Sequence, residues 1–202
     1  STRRPADAEP RLKLADGTPL APFLNLSAFA EMMLVHENAC VAISKEMPLD
    51  RAALLGCAVI TGAGAIFNDS RVRPGESVAV IGAGGIGLAA INAAKIAGAG
   101  QILAIDPMPE KRELAMKLGA TGTLDPNSET IVKDVLKRTN GGVHYAIEAV
   151  GRPNTAELAW NILRRGGTAT ILGTPGNAYK RKNCRVVDGQ DTVDGTCRAA
   201  SW

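Results

Sequence analysis

Aromatic residues are scarce in this chain of 202 residues, since phenylalanine, tryptophan and tyrosine together make up 3% of it. The formal net charge is also small, at +3. Proteins that bind nucleic acid concentrate positive charge on one face, and those that bind single strands add aromatic side chains on which bases stack. The composition therefore argues against nucleic acid as a partner.

Long apolar runs are absent as well. The sequence has no uninterrupted run of about 18 apolar residues, and its first residues, STRRPADAEPRLKLADG, lack the apolar core of a signal peptide. From these two absences we expect a cytoplasmic protein with no membrane partner. The hydrophobic content of 46% is nevertheless enough to bury a sizeable core.

Cysteine is limited to four positions that lie far apart, namely Cys40, Cys57, Cys184 and Cys197. No two of them form a CxxC pair, which argues against a zinc ribbon and against a dense disulfide framework. The simplest interpretation of the composition is a set of reduced thiols that act as small apolar side chains.

The first third of the sequence predicts short strands and a connector. Its first dozen residues are rich in Arg, Pro and acidic residues, which is typical of an exposed start. Residues 32–35 and 40–43 are apolar runs on either side of a turn-forming HEN, so we predict a short antiparallel pair. Pro48 then precedes a helix-like stretch that glycines interrupt, and we expect this stretch to pack tightly against another element.

Strands and helices alternate through the middle of the sequence. Apolar strands are predicted at 77–81 and 101–105, with an Ala-rich helix to about Ala97 between them and a helix from Pro109 to Gly119 after them. Further strands are TGTLD, HYAIEAV and GTATILG, and further helices are SETIVKDVLKRT and NTAELAWNILRRGG. This alternation predicts an α/β fold with a doubly wound parallel sheet of about five strands.

The pattern stops after Pro175. The remaining residues, GNAYKRKNCRVVDGQDTVDGTCRAASW, show neither the helical nor the strand period. We therefore predict an irregular tail over 178–202 and no sixth strand, which would leave one edge of the sheet open to association.

A glycine turn and an acid stand out within the alternating part. Gly82, Gly84 and Gly87 form G-x-G-x-x-G between a strand and a helix, and Asp106 ends the next strand. In this motif the first glycine makes a tight turn, the second lets the backbone approach a pyrophosphate, and the third lets helix and strand pack closely. Asp106 would accept hydrogen bonds from ribose hydroxyls and repel a 2′-phosphate, which predicts NAD as the cofactor. Lys111 could reach the same ribose, although a solvated helix face explains it nearly as well.

Five segments follow one another in the order found in a known family: FAEMMLVHENACVAI, LLGCAVITGAGAI, VAVIGAGGIGLAAINAAKIAGAGQILAID, GGVHYAIEAVGR and GGTATILGTPG. Over about residues 18–177 the chain resembles the zinc-dependent medium-chain alcohol dehydrogenases of the medium-chain dehydrogenase/reductase group. The resemblance implies a NAD-binding Rossmann domain over 63–177, preceded over 1–62 by a remnant of the β-rich, GroES-like catalytic domain and a connector. It also implies NAD and zinc as cofactors, an alcohol or aldehyde as substrate and a homo-oligomer for the complete enzyme.

The resemblance also implies roles for individual residues. Cys57 resembles the third protein ligand of the catalytic zinc, Thr61 resembles a residue beside the nicotinamide, and Ile86 resembles the branched side chain behind the nicotinamide ring. In that family zinc acts as a Lewis acid on the substrate oxygen, and hydride passes to NAD. The other cofactor positions that the resemblance implies are Gly85 in the glycine turn, Val150 and Arg152 on the adenosine side, and Leu172, Gly173 and Thr174 on the carboxamide side. A place in the core explains Val150 adequately too.

The sequence departs from the family at the metal site. A catalytic zinc needs three protein ligands, and this sequence supplies only Cys57, because the segments that carry the family's other ligands and its four-cysteine lobe are not in it. His36 lies in a predicted turn and His144 begins a predicted strand, so we expect neither to be a ligand or a catalytic group. Cys184 and Cys197 have no neighbours that would complete a site.

Three functions follow from these observations. The chain is part of a NAD- and zinc-dependent alcohol dehydrogenase, a group that includes thiol-dependent formaldehyde dehydrogenases, or it is a NAD-binding module with no turnover of its own. A zinc-free quinone reductase of the same superfamily is a third possibility, which Cys57 weakens because such enzymes have no need to keep this thiol.

Overall fold

The computed structural model describes residues 12–20, 31–33, 35–173 and 195–198. They belong to two compact units, Ser1–Met47 and Pro48–Trp202. In the first unit a short antiparallel pair joins β1 (Leu12–Lys13) to β2 (Pro19–Leu20), and Glu37–Ala39 form a single 3-10 turn. The boundary predicted between residues 62 and 63 falls inside a helix of the second unit.

The strand pair predicted at 32–35 and 40–43 is wrong for the part of it that the structure describes. Residues 31–33 and 35–47 contain no strand, and Val41 is 86% exposed. The physical reason is that two short strands without a buried face are marginal in water, whatever the apolar content of their residues.

The second unit begins with one long apolar helix, Leu49–Ser70. Its α-helical parts are α1 (Leu49–Ala52) and α2 (Ile60–Gly64), and π-helical turns occupy Leu55–Val59 and Ala65–Ser70. By length and by a mean hydropathy of 1.5 this helix could cross a membrane, although a helix packed in a soluble protein can pass the same test. The prediction that glycines interrupt this stretch is wrong, because the helix continues through them.

A close helix contact explains one of these glycines. A Cβ placed on Gly62 would collide with the carbonyl oxygen of Ile86 and lie 2.8 Å from the Cβ of Ala89, both of which belong to the next long helix. The long helix ends at Ser70, and its C-cap, Arg71, has a left-handed φ of 52°. Ser70 Oγ lies 3.0 Å from Thr170 Oγ1 in a buried hydrogen bond. The part of the connector from Gly62 to Ser70 therefore packs tightly, as expected, whereas most residues from Leu49 to Ile60 are exposed.

The rest of the unit is a six-stranded sheet in the order β5-β4-β3-β6-β7-β8. Its first five strands are parallel, which confirms the predicted doubly wound sheet. The strands are β3 (Ser77–Ile81), β4 (Gln101–Ile105), β5 (Gly122–Leu124), β6 (Val143–Glu148), β7 (Leu163–Ile171) and β8 (Gly195–Arg198). The helices between them are α3 (Gly85–Ile96), α4 (Pro109–Leu118), α5 (Ile131–Arg138) and α6 (Pro153–Asn161).

Both faces of the sheet are covered, and the central strand shows why. All five residues of β3 are buried; Val78 and Val80 belong to the core that α3 covers, whereas Ala79 and Ile81 belong to the core that includes residues of α5 and α6. Since alternate side chains point to opposite faces of a strand, a continuous apolar run is what a sheet buried on both sides requires.

Two predictions at the end of the sheet need correction. The helix predicted through NTAELAWNILRRGG ends at Asn161, and β7 begins at Leu163, where it pairs with Val143 across a register shift. The positive φ of Gly166, 73°, allows the main chain to adjust at this irregularity. The tail predicted as irregular contains β8, which pairs antiparallel with β7, so a sixth strand covers the edge that we expected to be open.

Candidate functional site

The glycine turn follows β3 at the carboxyl end of the parallel sheet. Gly82 has a φ of 92°, which side chains disfavour, and a Cβ there would lie 2.6 Å from Val150 Cγ2. A Cβ on Gly87 would collide with the carbonyl oxygen of Gly82, because the first turn of α3 lies directly against the turn. These two positions therefore require glycine for the chain to pass from strand to helix.

Gly84 differs from its neighbours in having open space beside it. It is the N-cap of α3, with no side chain capping the helix, and a Cβ there would meet nothing within 4 Å. A helix N-terminus presents unsatisfied N–H groups and the positive end of the helix dipole. Together these features make an open, anion-favouring site in which backbone can approach a ligand.

Asp106 holds the glycine turn from the side of β4. It is 4% exposed; its Oδ2 accepts a hydrogen bond from the N–H of Ala83 at 2.8 Å, and its Oδ1 accepts one from the N–H of Met108 at 2.9 Å. Each carboxylate oxygen retains a second acceptor position. The acid therefore fixes the turn and keeps the capacity to accept a ligand's hydroxyl groups.

Arg112 supports the loop after Asp106, a role that the sequence analysis did not predict. Its Nη1 donates to the carbonyl oxygens of Asp106 at 2.6 Å and Pro107 at 2.9 Å, and it lies 3.7 Å from Asp125 Oδ2. Lys111, the predicted ribose contact, precedes it on α4 and is partly exposed. In the sequence, Arg112 is simply a second positively charged residue next to Lys111. The pattern therefore does not show which of these two side chains supports the loop.

The other predicted cofactor positions lie on neighbouring loops, except Thr174, which lies outside the described residues. Val150 is 43% exposed, so the interpretation of this residue as core is wrong. Arg152 is the N-cap of α6, and Leu172 and Gly173 follow β7. Gly173 requires glycine because a Cβ there would collide with the main chain of Gly151. The loops after β6 and β7 therefore meet next to the glycine turn.

Cys57 and Thr61 lie one helical turn apart on the long helix, beside the start of α3. A Cβ on Gly85 would lie 3.4 Å from the Cβ of Ala58, so this helix passes within contact distance of the glycine turn. Cys57 is exposed, which contradicts its interpretation as a buried apolar side chain; Cys40 is exposed too. Ile86 is partly buried and packs against the core that α3 covers.

The described residues do not fit a complete zinc site. Among them no three His, Cys, Asp or Glu side chains come together in a way that could hold a metal ion. Cys57 supplies one thiol, whereas catalytic zinc takes three protein ligands and an open position. The chain therefore has no described set of residues that would hold zinc by itself.

Each of the two histidines accepts a hydrogen bond from a main-chain N–H. His144 lies at the amino end of β6, where its Nδ1 accepts from the N–H of Ser77 at 3.1 Å and lies 2.8 Å from Ser77 Oγ. In the first unit, Nδ1 of His36 accepts from the N–H of Asn38 at 3.1 Å. Their predicted lack of a catalytic role stays a prediction.

Comparison with known proteins identifies the family. The model of the zinc-binding dehydrogenases matches residues 85–201, which is more than half of the chain. The chain belongs to the zinc-binding dehydrogenase family. The match includes residues 178–201, so it extends beyond residue 177, where the resemblance seen in the sequence ends.

Curated relatives of this zinc-binding dehydrogenase chain include S-(hydroxymethyl)glutathione dehydrogenases. That of Escherichia coli O1:K1 / APEC is 41% identical over 168 residues, and that of Shigella sonnei (strain Ss046) is 40% identical over 168 residues. Each alignment covers 82% of this chain and 46% of the relative. The chain thus spans about half the length of the curated relatives that it matches.

Solved structures of related dehydrogenases have the same fold. An alcohol dehydrogenase zinc-binding domain protein from Burkholderia ambifaria is 38% identical, with a TM-score of 0.79 over 89% of this chain and 49% of that chain. Benzyl alcohol dehydrogenase from Acinetobacter calcoaceticus is 34% identical, with a TM-score of 0.67 over 70% of this chain and 39% of that chain. The Rossmann-type α/β sheet of this chain is therefore that of the zinc-binding dehydrogenases.

Proposed function

We propose that the chain is the cofactor-binding part of a NAD-dependent alcohol dehydrogenase that transfers hydride between an alcohol and NAD⁺. The observation that carries the proposal is the open position at Gly84, at the uncapped N-terminus of α3, beside the buried carboxylate of Asp106. This arrangement offers a site for a pyrophosphate next to an acceptor for ribose hydroxyls, the two features that a dinucleotide requires.

Each part of the site has a task in this proposal. The first turn of α3 holds the pyrophosphate through its N–H groups, and Asp106 accepts hydrogen bonds from the adenosine ribose. Ile86, in the first turn of α3, supports one face of the nicotinamide. Thr61 lies on the long helix, which passes beside the start of α3. When bound, the nicotinamide supplies the hydride acceptor.

Titration with NADH tests this proposal on the chain itself. We expect saturable binding with a Kd in the micromolar to millimolar range and weaker binding of NADPH, because the charge of Asp106 repels a 2′-phosphate. Quenching of intrinsic fluorescence, checked by calorimetry, measures both constants. Absence of NADH binding by folded protein, as judged by circular dichroism, would reject the proposed function.

A second candidate is a dinucleotide-binding module that has no turnover of its own. The single described thiol at the predicted metal position, Cys57, and the lack of a described three-ligand cluster favour it. The family and the named relatives favour the dehydrogenase as the activity of the complete protein. The relatives also make a thiol-dependent formaldehyde dehydrogenase a specific form of the first proposal.

Metal content separates these candidates for this chain. We expect less than about a tenth of a zinc ion per chain after dialysis against a chelator, because one thiolate cannot replace three protein ligands. Atomic absorption measures the content, and Cys57→Ser is the matched control, expected to give the same value. One zinc ion per wild-type chain, lost in Cys57→Ser, would show that the chain completes the site.

An alcohol or aldehyde substrate, a cytoplasmic location and a homo-oligomeric complete enzyme remain part of the proposal. The substrate class is supported by the name of one solved relative, benzyl alcohol dehydrogenase.

A further inference from the structure

Glu148 ends β6 with a carboxylate that is fully buried, at 0% exposure. A buried carboxylate is costly unless hydrogen bonds satisfy it. Its Oε1 accepts from the N–H groups of Val150 and Gly151, both at 2.9 Å, and from the hydroxyl of Thr155 at 2.8 Å. Its Oε2 is also buried and takes no hydrogen bond from the described residues. The carboxylate therefore folds the loop after β6 back over the end of its own strand.

This loop forms one side of the glycine turn. A Cβ on Gly82 would approach not only Val150 but also the carbonyl oxygen of Ala149, at 3.2 Å. The N–H of Ala149 donates to the carbonyl oxygen of Ile81 at 2.9 Å. Because β3 lies between β4 and β6, the turn is held from both neighbouring strands. Asp106 bonds to it from the side of β4, and the loop that Glu148 fixes lies against it on the side of β6.

The loop after β7 depends on the same residue through its main chain. The carbonyl oxygen of Glu148 accepts from the N–H of Leu172 at 2.8 Å and from that of Gly173 at 3.4 Å. Glu148 thus bonds by its side chain to one loop and by its main chain to the other. Those loops carry most of the predicted cofactor positions outside the glycine turn.

We propose that Glu148 is a positioning residue for the dinucleotide, which fixes Val150 and Gly151 as one wall of the site. This inference rests on the proposed function. The buried carboxylate does not touch the cofactor; it acts through the main chain of the loop. Its sequence signal is the one that identified Asp106, an acid at the end of an apolar strand, here in HYAIE.

The test compares Glu148→Ala and Glu148→Gln with the wild-type chain. We expect Glu148→Ala to raise the Kd for NADH by about tenfold, because three donors lose their acceptor. Hydrogen exchange at the amides of Val150 and Gly151 should accelerate by at least about tenfold, while that of Leu172, bonded to the main chain of Glu148, stays within about threefold of wild type. Glu148→Gln keeps an acceptor oxygen and should restore both readouts to within about threefold.

Val135→Ala is the matched control, because Val135 is also 0% exposed but lies on α5. It should lower stability and leave the Kd unchanged at temperatures where the variant is folded. Equal loss of affinity in Val135→Ala and Glu148→Ala would overturn the positioning role, as would wild-type affinity in Glu148→Ala. Failure of the wild-type chain to bind NADH would reject the proposed function, and the positioning role with it.

Discussion

Gly87→Ala is expected to lower the free energy of unfolding by about 3 kcal/mol or more and to abolish NADH binding. A Cβ at this position would collide with the carbonyl oxygen of Gly82, and the next nearest atoms include Val80 Cγ1 at 3.4 Å. A shift of the turn or of Val80 large enough to relieve this collision would disturb the packing of β3, which is buried along its whole length. Urea unfolding followed by circular dichroism measures the stability.

Gly84→Ala is the matched control for this prediction, because it adds the same methyl group two residues before Ile86 in the same turn. No atom lies within 4 Å of the added Cβ, and the φ of −80° suits alanine. We expect the free energy of unfolding to change by no more than about 1 kcal/mol, the cost of a poorer N-cap. Binding of NADH should nevertheless weaken at least about tenfold, because the methyl group fills the space where backbone would approach the pyrophosphate. Unchanged affinity would remove Gly84 from the site.

Asp106→Gly is expected to reverse or abolish the preference for NADH over NADPH. The change removes the charge that repels a 2′-phosphate and the acceptor for ribose hydroxyls, so the ratio of the two Kd values should shift by about tenfold to a hundredfold. It also leaves the N–H groups of Ala83 and Met108 without their acceptor, at a cost of about 1–3 kcal/mol in stability. Parallel titrations with the two nucleotides measure the ratio.

Glu129→Gln provides the control for net charge, since it removes one negative charge from an exposed position before α5. The preference of Glu129→Gln for NADH over NADPH should equal that of the wild-type chain. If Asp106→Gly retains the wild-type preference while binding NADH, the acid has only the structural task of holding the glycine turn. If both variants change the preference equally, long-range charge rather than contact with the ribose controls it.

The parallel strands were predictable because their signals are local. The boundaries predicted for β3 and β4, 77–81 and 101–105, agree with the structure, since each is a short apolar run between turn-forming residues. Pro109 and Gly119 mark the ends of α4 as expected, with Gly119 at a φ of 127°. The residues within each of these segments are enough to predict such positions.

Where the predictions failed, the deciding contacts were distant in sequence. β7 begins at Leu163 because β6 offers a partner at Val143, although the sequence there continues a helical pattern. The glycines of the long helix do not interrupt it, and Gly62 lies against Ile86 instead. For Val150 only the alternative explanation, a place in the core, is wrong, because the loop that Glu148 holds leaves this residue 43% exposed.

The sequence by itself determined the parallel α/β sheet, the glycine turn and the acid at the end of β4, because strand runs and turn glycines act over a few residues. Only the tertiary structure showed that Asp106 and Glu148 hold the turn and its neighbouring loop from two sides, since those bonds depend on the order β4-β3-β6 in the sheet. The tertiary structure also showed that Cys57 is an exposed thiol, and that no group of three metal-binding side chains forms among the described residues. Strand order and metal ligation join residues far apart in the chain, and no local pattern records them.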